Sequence, residues 1–147
     1  MNNTHLLRAT AIALLLAVSG CATTNTFERP PPESYELQIV DNVAAHRFDL
    51  TLVSHDRAIC VANENWPETG RMPVANDKVT VTTGQATLPV DAAMFDVYCP
   101  GGCGQQRATP KKPLTGFISY EAVGNVAELA ADPDKQLHFR VQPTYCR

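Results

Sequence analysis

Eleven prolines are spread along this chain of 147 residues, from Pro30 to Pro143. A proline inside a helix removes a backbone donor and clashes with the preceding turn, costing roughly 3 kcal/mol. A helical bundle is therefore disfavoured. Between the prolines lie short runs that alternate apolar and polar residues with the two-residue period of a strand. Tyr35, Leu37 and Ile39 alternate with Glu36 and Gln38. Phe48, Leu50 and Leu52 alternate with Asp49 and Thr51. Residues 58–62 are apolar, 78–83 are rich in β-branched side chains, and 86–90 suit a short strand. Residues 114–123 alternate, and Leu137, Phe139 and Val141 alternate with His138 and Arg140. Residues 91–98 fit a helical turn or a strand, and 127–131 form the one good helical run, about one turn long. Residues 63–73 and 106–113 read as loops. Short strands with frequent turn signals, and no long alternating helices, predict an all-β fold: a small antiparallel sandwich.

The N-terminus is built differently. Arg8 precedes an apolar run over residues 9–18, which has the length of a secretory signal core. It is too short to span a bilayer, which takes about 20 apolar residues. Leu16-Ala17-Val18-Ser19-Gly20-Cys21 resembles the lipobox of bacterial lipoproteins. That resemblance implies removal of residues 1–20 and acylation of Cys21, with the lipid bilayer as its partner. Two or three acyl chains make a stable anchor where one is marginal. Ala22 follows the cysteine where an aspartate would mark retention at the inner membrane, so the resemblance implies the periplasmic face of the outer membrane. Residues 21–34 then read as the lipidated cysteine and a tether, stiffened by Pro30, Pro31 and Pro32, and residues 35–147 as a single domain. On its strand count, and on the patterns over 114–123 and 137–141, that domain resembles small Ig-like modules of bacterial envelope proteins.

Setting Cys21 aside leaves Cys60, Cys99, Cys103 and Cys146, an even number in an oxidising compartment. Cys99 and Cys103 enclose Pro100, Gly101 and Gly102, and glycine allows the tight closure such a loop needs. This favours Cys99–Cys103 as a small surface loop and Cys60–Cys146 as a long staple. The rival pairing joins Cys60 to Cys99 and Cys103 to Cys146. Zinc would need a second close pair of ligands, which the cysteines and histidines do not supply. No metal and no cofactor are expected.

Catalytic motifs are missing too. Ser54-His55-Asp56 contains triad residue types, but neighbours in a strand or turn do not converge as a triad must. No nucleophile elbow, metal-binding helix motif or phosphate loop occurs in the sequence. The net charge of −3 argues against nucleic acid as partner. Arg107, Lys111 and Lys112 read as a solvated loop. The expectation is a non-catalytic binding or accessory module that meets an envelope protein. The alternative is a periplasmic inhibitor or immunity protein against a lysozyme, protease or toxin. Dispersed acids offer little steering toward a cationic enzyme, which tilts the reading to the module. Candidate contacts are the tip Pro100, Gly101 and Gly102, together with Trp66 beside Pro67. The competing reading of Trp66 lays it over the edge of the core.

Overall fold

The computed structural model describes residues 28–94, 98–100 and 102–147; Cys21 and Gly101 lie outside the described residues. In chain order the strands are β1 (Tyr35–Asn42), β2 (Arg47–Ser54), β3 (Ile59–Ala62), β4 (Met72–Val74), β5 (Thr80–Thr82) and β6 (Thr87–Pro89). They continue as β7 (Ala92–Met94), β8 (Gln105–Ala108), β9 (Leu114–Ser119), β10 (Gln136–His138) and β11 (Thr144–Tyr145), with one helix, α1 (Val126–Ala131), before β10. The fold is a small all-β sandwich with antiparallel sheets and two disulfides.

The longest hairpin sets the register. β1 pairs with β2 from Tyr35 opposite Ser54 to Asn42 opposite Arg47. A 3-10 turn over Val43–Ala45 closes it, and the Asn42 side chain accepts the Ala45 amide hydrogen. β2 is central, with β9 on its other side and Phe48 opposite Ile118. Every second residue of β2 is buried, so Phe48, Leu50 and Leu52 enter the core together. Full burial of each such side chain contributes about 1.5–3 kcal/mol. A second sheet holds β3 between β8 and β11, and a third holds β5 between β6 and β10. β4 and β7 run parallel to each other, the one departure from antiparallel pairing among the described strands.

Besides the strand predicted over 137–141, which pairs only as far as His138 in β10, four stretches differ from the sequence expectation. The first is β8, which lies where residues 106–113 read as loop. Gln105, Gln106 and Arg107 carry no apolar alternation; the strand forms because apolar β3 offers its backbone edge, pairing Ile59 with Ala108. The second is β4, which begins within the expected loop over 63–73 and pairs with β7. The third is the predicted strand over 114–123, which ends at Ser119 and turns through a 3-10 segment, Tyr120–Ala122. The fourth is the tether, whose last part docks on the domain. Pro30 is buried, the Tyr145 amide donates to the Glu28 carbonyl at 2.9 Å, and the His55 amide donates to the Ser34 carbonyl at 2.9 Å. The docked backbone completes hydrogen bonds that the ends of β1, β2 and β11 leave open.

Trp66 is a core residue and not a contact anchor, being only 1% exposed. Its ring meets Phe139 edge-on at 5.8 Å, and its indole N–H donates to the Thr115 carbonyl at 3.1 Å. Gly116 makes room for it: a Cβ there would lie 2.3 Å from the Pro67 carbonyl oxygen. A loop tryptophan is drawn inward because its large apolar surface and single donor can both be satisfied there.

Candidate contact surface

Cys60 is bonded to Cys146, and Cys99 to Cys103. The short bridge closes a small loop whose described residues Pro100 and Gly102 are exposed. The Gly102 amide donates back to the Cys99 carbonyl at 2.9 Å, with Gly102 at φ 98°. A side chain would be strained at that angle, so glycine is what permits the turn. The loop is clamped from below. The Asn63 side-chain amide donates to the Cys103 carbonyl at 2.7 Å, and the Asn63 backbone amide donates to the Gly104 carbonyl at 3.2 Å. Pro100 and Gly102 are exposed at the tip. Beside them Tyr98 is 90% exposed, and Met94 at the end of β7 is half exposed. A cystine-closed loop beside an exposed tyrosine suits protein contact, since covalent closure lowers the ordering entropy lost on binding.

Sequence reasoning passed over Tyr98. The available signal was an aromatic residue directly before a cystine that closes over three residues. The structure does not bring Trp66 into this surface.

Other polar groups are engaged with one another. Tyr120 is fully buried, and its hydroxyl donates to the Asp41 carboxylate. The same carboxylate receives the Lys135 ammonium at 2.8 Å, and that ammonium also donates to the Asp132 carbonyl at 3.0 Å. The Lys135 side chain is 1% exposed, whereas a third of Asp41 is open to solvent. Burial, then the bond to Asp41, pushes the Tyr120 hydroxyl well above its ordinary 10.0. This cluster ties β1, the Tyr120–Ala122 turn and the segment after α1 together. With the phenol held neutral and the ammonium buried, it is a structural clamp.

A cleft of about 790 Å³ separates the β5–β6 turn from α1. Two of its polar side chains, Asp132 and Asn125, are already committed. Asp132 accepts the Gly84 amide at 3.0 Å and the Asp134 amide at 2.8 Å, and these bonds hold its carboxyl below the ordinary 3.8. Asn125 caps α1 through its side-chain oxygen and donates to Glu128 at 3.0 Å.

Ser54 and Asp56 are turned to separate partners. The Ser54 hydroxyl donates to the Arg57 carbonyl at 2.5 Å, while Asp56 accepts the Arg57 amide at 2.6 Å and the Tyr145 hydroxyl at 2.8 Å. These bonds, the backbone one foremost, lower the Asp56 pKa. Among the described residues no group of three or more His, Cys, Asp or Glu side chains is placed to hold a metal ion. No helix there is long and apolar enough to cross a membrane. No protein-family model, curated protein or solved structure matches this chain.

Proposed function

We propose that this chain is an outer-membrane lipoprotein, anchored through Cys21, whose Ig-like domain serves as a non-catalytic binding module on the periplasmic face. The lipobox-like run up to Cys21 supports the anchor. The observation that carries the binding reading is the clamped Cys99–Cys103 loop beside the exposed Tyr98. The inhibitor alternative draws on the same loop, because a preorganised projection also suits insertion into an enzyme cleft.

One experiment addresses both. A photo-crosslinking amino acid replaces Tyr98 in cells, with a control replacement at exposed Val43 in the β1–β2 turn. The expected result is one envelope protein crosslinked from position 98 and not from 43, recovered with the outer-membrane fraction. Crosslinking to a lysozyme, protease or toxin would favour the inhibitor. Equal, diffuse crosslinking from both positions would overturn the contact surface. A Cys21→Ser variant that still fractionates with the outer membrane would overturn the anchor.

A further inference from the structure

The registers collect several chain segments at one pole of the sandwich. Tyr35 at the start of β1 lies opposite Ser54 at the end of β2. Leu114 at the start of β9 lies opposite Leu52. Ala108 at the end of β8, and Tyr145 of β11, both lie opposite Ile59 at the start of β3. The β2–β3 turn, the β8–β9 turn and the C-terminus therefore crowd around the point where the docked N-terminal segment meets the domain. Arg57 in the first turn pairs with Glu28 at 2.6 Å and stacks over the Tyr145 ring, fixing that segment in place.

This pole is cationic on a molecule of net charge −3. It carries Arg29 and Arg57, the exposed Lys111 and Lys112 of the β8–β9 turn, and Arg107, whose guanidinium reaches the Arg147 carbonyl. Against these five cations stand three side-chain carboxylates: Glu28, paired with Arg57, Asp56, which accepts from Tyr145 and keeps its charge, and the exposed Glu33. Neither Lys111 nor Lys112 has an ion pair among the described residues.

The covalent tether points the same way. Because the chain is already docked at Glu28, only residues 22–27 separate the domain from Cys21, and none of them is charged. Even fully extended, that stretch reaches about 25 Å.

We propose that the pole bearing Arg29, Lys111 and Lys112 is a bilayer-docking surface that seats on anionic phospholipid headgroups. The inference rests on acylation of Cys21. The short reach lets these cations come within a screening length of the lipid surface, where an anionic surface attracts Lys and Arg. The domain then stands with its tethered pole down and in a restricted orientation.

The test uses the mature acylated protein in vesicles, with lysines labelled by an uncharged amine-reactive reagent. Phosphatidylcholine vesicles containing phosphatidylglycerol are compared with pure phosphatidylcholine vesicles. Lys111 and Lys112 are expected to react several-fold more slowly on the anionic vesicles, with the difference abolished by high salt. Lys78, which borders a shallow groove with Ile39 from the middle of β1, should react equally on both. Equal rates at Lys111 and Lys112 in a protein whose N-terminal peptide carries acyl mass would overturn the docking surface alone. An N-terminal peptide without acyl mass would overturn the anchor and the docking surface together.

Discussion

Lys135 and Asp41 form a pair whose two members face different surroundings. Lys135 is 1% exposed, while Asp41 keeps a third of its side chain in water. Removing either partner leaves the other charge behind, but only Asp41 can be rehydrated. Asp41→Ala strands a buried ammonium and the Tyr120 hydroxyl at once, and should cost about 3 kcal/mol. Lys135→Met keeps the buried stem, leaves Asp41 bonded to Tyr120 and should cost about 1 kcal/mol or less. Urea unfolding at constant slope measures both, and equal shifts in midpoint would contradict this asymmetry. Lys135 could not be picked out beforehand, because Asp132-Pro133-Asp134-Lys135 reads as a solvated turn. Its burial depends on Asp41, far away in the chain and brought near by folding.

The two disulfides act on different amounts of chain. Cys60–Cys146 spans 86 residues and Cys99–Cys103 spans four. On loop entropy alone the long bridge stabilises by about 4.6 kcal/mol and the short one by about 2 kcal/mol. The long bridge also secures β11, which has only two residues of pairing to β3. Tyr145 of β11 in turn holds the docked N-terminal segment through the Glu28 carbonyl. Removing Cys60 and Cys146 together should therefore open the Tyr145 amide, which donates to the Glu28 carbonyl, and the Cys146 amide, which donates to the Ala58 carbonyl, to hydrogen exchange at the same time. Loss of Cys99 and Cys103 should loosen only the loop above Asn63. Protection of the Tyr145 amide that survives loss of the long bridge would show that β11 keeps its hold on Glu28 without it.

For the molecule as a whole, stability should fall off at both ends of the pH scale, for different groups. Tyr120 has a pKa raised above 10.0, chiefly by burial. Its contribution is fully present below pH 10. Above that the unfolded chain releases its proton while the folded chain retains it, so stability falls as pH rises. Asp56 and Asp132 have pKa values lowered from 3.8. Their contribution is present above that value and is lost as pH falls, because protonation weakens the amide bonds they accept. Tyr120→Phe should flatten the alkaline limb of a plot of urea midpoint against pH and leave the acid limb unchanged. An alkaline limb of undiminished slope in that variant would place its origin elsewhere.

The all-β class was legible from local pattern. Alternation in β1, β2 and residues 137–141 needs only the two-residue period of a strand, and buried Leu137 and Phe139 follow it. The small cystine loop was legible because closure between Cys99 and Cys103 is a local matter of glycine and spacing. Tertiary structure alone decided the rest. β8 is polar and became a strand because β3 presented an unpaired edge. Trp66 left its loop for the core because Gly116, on a distant strand, leaves space against the Pro67 backbone. The proline-rich segment stopped being a spacer where Arg57 and Tyr145 offered it partners. In each case the deciding group lies far off in the chain, where neither periodicity nor propensity can register it.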